Sequence, residues 1–326
     1  MARNFLRDEL LPALVDNLAA FGEVHGPKLT DDGVTVFGRV TTHSDLHLDY
    51  RSTLLPPKKY LLPPRETALA YSPESGYREP AATVKKIIFF GVHPCDLAGI
   101  AYLDRVFLDN ADDSFYRRRR DALTLVGLSC EPDDFCFCGD VNADLPVGFD
   151  IFMQSVDGGF CLDAGSDKGA DIIAKLYRLF SERERPPSRM RNCSPLKDAI
   201  QRAVKARKTF EESPLWDDFA ARCLSCGACS LCCPTCYCFD VREYGNLDGA
   251  TAERIREWDN CLFKTHGEVA GGYNFRKTRQ ERFRYRFQHK YLGFGPTRGI
   301  IACVGCGRCR EVCPVGIDLL ELFKTK

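Results

Sequence analysis

Two kinds of hydrophobic pattern run along the first half of the chain. Phe5, Leu6, Leu10, Leu14, Leu18 and Phe21 fall at helical spacing, so 5–21 is predicted as an amphipathic helix packed on a core, with Gly26-Pro27 closing the segment. Residues 33–40 have the β-branched content of a strand. From Leu54 to Pro64 the prolines at 56, 57, 63 and 64 exclude an interior helix or central strand, predicting an extended path across the surface. Residues 84–91 and 123–128 are near-continuous apolar runs, joined by a segment with a helical pattern from Leu97 to Phe107. Apolar strands linked through a helix predict a βαβ crossover in a parallel sheet. A strand over 149–154 and the turn Asp157-Gly158-Gly159 before Phe160-Cys161-Leu162 would extend that sheet. Helices are expected over 172–180 and 195–212, with 183–188 as an exposed linker.

The last third is patterned by cysteine instead. Cys223-x-x-Cys226-x-x-Cys229-x-x-x-Cys233-Pro234 returns as Cys303-x-x-Cys306-x-x-Cys309-x-x-x-Cys313-Pro314. This is the two-cluster ferredoxin spacing, in which three close thiolates hold one 4Fe-4S cluster and the fourth cysteine ligates the other. Crossing the fourth ligands assigns Cys223, Cys226, Cys229 and Cys313 to one cluster, and Cys303, Cys306, Cys309 and Cys233 to the other. A pair of zinc sites is the bland alternative, but zinc needs only four ligands and does not call for this spacing twice. The runs start 80 residues apart, enclosing an insertion at about 235–300. Within it Phe283, Phe287 and Tyr291 share a helical face inside a basic segment, 276–291. That segment reads as a cluster-tuning or partner-docking rim, or equally as a solvated helix face.

A third constellation lies in the first half. The two apolar strands each deliver a cysteine just beyond their carboxyl ends, Cys95 and Cys130, where open α/β sheets place their sites; Cys136 and Cys138 follow. A third 4Fe-4S cluster is the preferred reading, against a structural zinc or unligated core thiols. His93 is a spare ligand candidate. Cys161 and Cys193 read as bland thiols, and Cys232 as a non-ligand. Cys236, Cys238 and Cys261 either hold another metal or pack around the clusters.

Composition narrows the class. The 326 residues carry no net formal charge, which argues against a nucleic-acid binder, and no apolar run is long enough to span a membrane. Eighteen cysteines without a recognisable secretory signal fit a reducing cytoplasm, where thiolates hold metal rather than each other. No G-x-G-x-x-G follows a strand and no P-loop is present, so hydride chemistry is expected on another polypeptide.

Seven segments together resemble a known family: Pro57-Lys58-Lys59-Tyr60, Phe90-Gly91-Val92-His93-Pro94-Cys95-Asp96, Cys136-Phe137-Cys138-Gly139, the stretch from Cys233 to Asp240, Trp258-Asp259-Asn260-Cys261, the stretch from Gly271 to Arg276, and the second ferredoxin run. The resemblance, over nearly the whole chain, is to the iron–sulfur component shared by sulfhydrogenases (their beta subunit), anaerobic sulfite reductase and flavin oxidoreductases that feed heterodisulfide reductases. It implies a protein that relays electrons between a flavoprotein binding FAD and NAD(P)H and a catalytic partner of hydrogenase, sulfite reductase or heterodisulfide-reductase type.

The expected architecture is an α/β N-terminal domain (1–200) plus an α-helical dicluster ferredoxin-like C-terminal domain (201–326), whose insertion is expected to be helical. The expected role is electron transfer in a soluble multi-subunit anaerobic oxidoreductase, without nucleic acid or a membrane span. Alternatives are an iron–sulfur redox sensor or docking module, and a cluster-based reductase acting on its own substrate.

Overall fold

The computed structural model describes residues 2–80, 84–109, 112–184, 195–206, 212–247 and 249–324. Its strands are β1 (Ala2–Arg7), β2 (Glu23–Leu29), β3 (Thr35–Arg39), β4 (Arg65–Ser72), β5 (Gly76–Arg78), β6 (Ile87–Val92), β7 (Leu123–Leu128), β8 (Ile151–Val156), β9 (Gly159–Ala164), β10 (Ser181–Glu184), β11 (Phe239–Gly245) and β12 (Ala252–Trp258). Eight of them form one mixed sheet in the order β10-β1-β9-β8-β7-β6-β2-β3. Its centre is parallel, β2 to β6 to β7 to β8, and the remaining pairings are antiparallel.

Alternation along the central strands explains why both faces are covered. Ile88, Phe90, Val126, Leu128, Ile151 and Met153 point to one side, joining Leu14, Val15 and Leu18 of α1 (Leu11–Leu18) and Ile172 and Ile173 further along the chain. Phe89, Leu123, Leu125 and Phe152 point to the other, against Leu97, Ile100 and Leu103. Side chains two apart share a face, so a strand apolar at every position must be buried twice. The second layer includes α2 (Lys58–Leu61), α3 (Pro94–Phe107) and α4 (Ser114–Asp121); α5 (Asp167–Lys175) lies on the first. The crossover from β6 to β7 therefore forms as predicted, with two helices in it.

Several expectations are corrected. The helix predicted over 5–21 begins only at Leu11; Phe5 and Leu6 are in β1, paired with Cys161 and Phe160. Long-range pairing overrides a local periodicity there, and Pro12 marks the helix start. Gly26-Pro27 lies inside β2, beyond the point where pairing to β6 stops, so the missing proline N–H is not required by that neighbour. The proline-rich segment is not a surface strap: α2 forms behind Pro57, and Leu61 and Leu62 are buried. Ser181–Glu184 is an edge strand beside β1, while 185–188 lies outside the described residues. Helix α6 runs Pro195–Lys205, and 207–211 is likewise outside them.

The cysteine-rich part packs around a third core of Trp216, Phe219, Leu262, Phe283, Phe287, Tyr291 and Ile317. It contains α7 (Leu215–Arg222), α8 (Ala228–Leu231), α9 (Arg279–Leu292) and α10 (Arg308–Glu311). The insertion expected to be helical also carries the hairpin β11–β12, and β12 pairs with β4 of the first half. The two halves are thus stitched by a four-stranded sheet, β11-β12-β4-β5. They also touch where Gly99 on α3 meets Pro234: a Cβ at Gly99 would lie 2.6 Å from the proline Cβ.

One buried ion pair fixes this docking. Arg308 donates to both Asp96 carboxylate oxygens at 2.8 and 2.7 Å and, through Nε, to the Thr53 carbonyl at 2.9 Å. Both charged side chains are 2% exposed. Removing one partner of such a pair strands the other charge. The substitution Asp96→Ala is expected to lower unfolding free energy by about 3–5 kcal/mol, as measured by denaturant titration of the anaerobic protein.

Candidate iron–sulfur centres

The two ferredoxin runs have the same local geometry. In each, the chain turns through left-handed backbone twice, at Ser225 (φ 53°) and Gly227 (φ 82°) in the first and at Gly305 (φ 61°) and Gly307 (φ 75°) in the second. A short helix follows each time, α8 carrying Cys229 and α10 carrying Cys309. The glycines of the second loop serve close approach as well as turning. A Cβ at Gly305 would sit 2.6 Å from the Phe137 carbonyl, and one at Gly307 2.7 Å from that of Phe135. The Phe137 amide donates to the Gly305 carbonyl at 2.7 Å. Loop 135–138 of the first half therefore lies directly on the second ferredoxin loop, whereas Cys226 and Leu224 of the first loop are exposed.

The fourth cysteine of each run lies near cysteines of the other run. Cys223, Cys226, Cys229 and Cys313 line one apolar cavity, with Cys309, Leu262, Phe283 and Phe287 in its wall. On the other side Cys233 lies within electrostatic reach of Cys303, Cys306 and Cys309. Backbone amides already aim at sulfur: Ser225 N–H at Cys223 Sγ, Ile317 N–H at Cys313 Sγ and Asp133 N–H at Cys136 Sγ, all at 3.3 Å. Among the described residues no three His, Cys, Asp or Glu side chains converge on a single ion.

Parts of the third constellation lie close to one another. Cys95 sits in the first turn of α3 and is within electrostatic reach of Cys130, beyond the end of β7. Cys95, Cys136 and Cys306 pack against a small buried cluster of Cys138, Ala143 and Val304. A bulge at Gly91, where the β6–β7 register shifts, re-aims the chain into the Cys95 turn. His93 is stacked on Tyr50 with centroids 4.0 Å apart. Cys232 is buried near Cys233 and Cys306, and Cys161 is a core residue of β9.

Electrostatics supply residues that sequence reasoning missed. Lys58, Arg286 and Lys290 are all buried. Lys58 donates to the Cys236 carbonyl at 2.7 Å, and Lys290 to Thr235 Oγ1 at 2.6 Å. Arg286 donates to Ser230 Oγ at 2.7 Å, Cys236 Sγ at 3.0 Å and the Cys229 carbonyl at 2.6 Å. None of the three is ion-paired with a carboxylate among the described residues. Burying cations without an anion is strongly unfavourable. The anion that fits is a thiolate-ligated cluster, and the donor set, the apolar cavity and the cations agree on it. The Cys233 thiol is held well below its ordinary range, chiefly by the hydrogen bond with Cys236 and then, against burial, by Lys290, Arg286 and Lys58. Cys306 is pushed up to about 12 by burial. A clue lay in the sequence: Arg282, Arg286 and Lys290 each precede a member of the Phe283, Phe287, Tyr291 stripe by one residue. The solvated-face reading of these three is therefore wrong, since all are buried.

A four-cysteine loop written twice, with each fourth cysteine near the other loop, is the arrangement expected of a dicluster iron–sulfur protein. Residues 222–317 match the family described as a 4Fe-4S dicluster domain. Over 329 residues, 98% of this chain and 96% of the relative, the sequence is 36% identical to "Sulfhydrogenase 2 subunit beta" of Pyrococcus furiosus. No solved structure matches the chain. The chain belongs to this family of iron–sulfur electron-transfer subunits. Among the described residues no helix is long and apolar enough to cross a membrane.

Replacing Lys290 with Met removes a buried positive charge beside Cys233. The added electron is then less stabilised, so one cluster is expected to shift to a more negative potential by tens of millivolts, read by EPR-monitored redox titration.

Proposed function

We propose that the chain is the electron-relay subunit of a soluble, cytoplasmic, anaerobic oxidoreductase complex. It passes electrons between a flavoprotein carrying FAD and NAD(P)H and a catalytic subunit. Hydrogenase-type chemistry is favoured for that subunit over the sulfite-reductase and heterodisulfide-reductase types, because the matched Pyrococcus protein is named a sulfhydrogenase subunit. The observation carrying the relay reading is the contact between loop 135–138 and the second ferredoxin loop. It sets the N-terminal cysteine loop against one of the two ferredoxin loops, which supports a relay through both.

In this reading Cys223, Cys226, Cys229 and Cys313 hold the first 4Fe-4S cluster, and Cys303, Cys306, Cys309 and Cys233 the second. Cys95, Cys130, Cys136 and Cys138 hold a third. Residues 1–200 form the α/β domain and 201–326 the dicluster domain. Bound clusters supply one-electron carriage. The chain's own groups do the rest: backbone amides at 225, 317 and 133 stabilise thiolate charge, buried Arg286 and Lys290 favour the reduced state, and the apolar walls exclude water.

Iron and acid-labile sulfide on anaerobically purified protein test the count: about twelve irons per chain are expected, and about eight would remove the third cluster. Cys223→Ser and Cys306→Ser should each lose one ferredoxin-type EPR signal and stop transfer from the co-purifying flavoprotein. Transfer that survives both changes would overturn the relay role.

A further inference from the structure

The first ferredoxin loop reaches the surface, and a loop from the insertion stands beside it. Cys226 and Leu224 are exposed at its tip, whereas the second ferredoxin loop is covered by residues 135–138. Buried Asn260 donates to the Gly227 carbonyl at 2.9 Å, and the Phe263 ring lies 3.1 Å from where a Gly227 Cβ would stand. From Phe263 onward the chain is held by its own hydrogen bonds. Buried Asn274 donates to the Lys264 carbonyl at 2.7 Å and accepts from the Arg276 amide at 2.8 Å. The Phe275 amide donates to the Gly267 carbonyl and the Val269 amide to that of Tyr273, both at 2.9 Å. Gly271 and Gly272 turn the tip in left-handed backbone, at φ 83° and 77°.

This bonded loop displays its apolar side chains instead of burying them. Phe263, Val269, Tyr273 and Phe275 are 38, 44, 55 and 64% exposed, and the Tyr273 and Phe275 rings meet edge to face with centroids 5.1 Å apart. Apolar groups shown together on a fixed scaffold suit a docking face, because little conformational freedom is lost when a partner covers them. Around them, residues 263–279 carry Lys264, Arg276, Lys277 and Arg279 against a single carboxylate, Glu268. Three of these cations meet rings and carbonyls: Lys277 lies over the Tyr273 ring at 5.3 Å, Arg276 over that of Tyr285 at 4.1 Å, and Arg279 donates to the Ala220 carbonyl at 3.4 Å. The neighbouring acids are engaged elsewhere, Asp217 by Gln280, Asp218 by Arg222 and Asp259 by His266. An aromatic centre with a positive rim is complementary to an acidic protein surface.

We propose that this platform docks an acidic electron-transfer protein, which exchanges electrons with the cluster assigned to Cys223, Cys226, Cys229 and Cys313. The proposal rests on the relay reading in taking that cluster as a carrier. Electron tunnelling falls steeply with distance, so a partner has to seat where a cluster nears the surface; of the two ferredoxin loops, it is the first that does. Each encounter moves one electron between the partner's redox group and that cluster, with no bond made or broken. The basic rim steers the encounter, and the exposed rings form the seat.

The test uses the anaerobically purified full chain with an acidic two-iron ferredoxin as the probe, followed by stopped-flow absorbance. Lys264→Glu/Lys277→Glu should slow second-order transfer about tenfold or more at low salt, with the gap closing as salt is raised. Tyr273→Ser/Phe275→Ser should slow it at every salt concentration. Both variants should keep the wild-type EPR signals, and neither should be slowed in reduction by methyl viologen radical, which needs no docking face. Lys85→Glu/Lys175→Glu makes the same charge change at exposed positions of the α/β half and should match wild type. Transfer unaffected in the two face variants, or slowed equally by the control pair, overturns the proposal. The wild-type protein gives a check free of any folding defect. Zero-length carbodiimide coupling should join Lys264 or Lys277 to a ferredoxin carboxylate; coupling confined to other lysines overturns the proposal. Failure of the relay reading would look different: Cys223→Ser would pass electrons to the ferredoxin at the wild-type rate.

Discussion

The buried pair between Arg308 and Asp96 is the constraint on which the arrangement depends. Arg308 stands between Cys306 and Cys309, while Asp96 follows Cys95 in the first turn of α3. One bidentate contact therefore sets the position of two cysteine loops from opposite halves of the chain. The Thr53 carbonyl adds a third segment to the same guanidinium. Desolvating both charges is unfavourable in itself, so the pair is better understood as specifying a register than as adding net stability. A neutral contact of the same size would tolerate sliding; a bidentate fork does not. The close fits of Gly305 and Gly307 on the 135–138 backbone follow from that registration.

What the sequence disclosed depended on whether the signal was local. The ferredoxin runs were legible because ligand spacing within a tight loop is a local property. The placement of Cys95 and Cys130 was legible because adjacent parallel strands deliver their carboxyl ends to one edge. The N-terminal helix was overdrawn because Phe5 and Leu6 happen to continue the spacing of α1, and only their distant partners, Cys161 and Phe160, reveal a strand. The hairpin in the insertion escaped notice for a similar reason: it is secured by β4, about 185 residues earlier in the chain. The basic face of α9 stayed open between cluster tuning and a solvated face, because the usual rule that charge seeks water competes there with the apolar stripe beside it. That rule fails where an anionic cofactor takes the place of the solvent.

Charge and shape divide the work between the two ferredoxin loops. Local geometry makes them near copies, yet their surroundings differ. The first has an exposed cysteine and leucine at its tip, and the second is covered by the α/β half. Burial and nearby charge are among the factors that separate the potentials of chemically identical clusters. Two repeats of one motif in unlike settings are thus a means of obtaining two potentials from one ligand set.

The unpaired cations have a bearing on how the molecule is made in the cell. A chain folded without its clusters would have Lys58, Arg286 and Lys290 in its interior with no cluster charge opposite them, which disfavours that state. Metal binding of this kind is part of the folding free energy rather than an addition to it. Cluster delivery and completion of the fold become a single event. By the same linkage, a chain short of iron is less stable than the loaded protein and correspondingly more open to proteolysis.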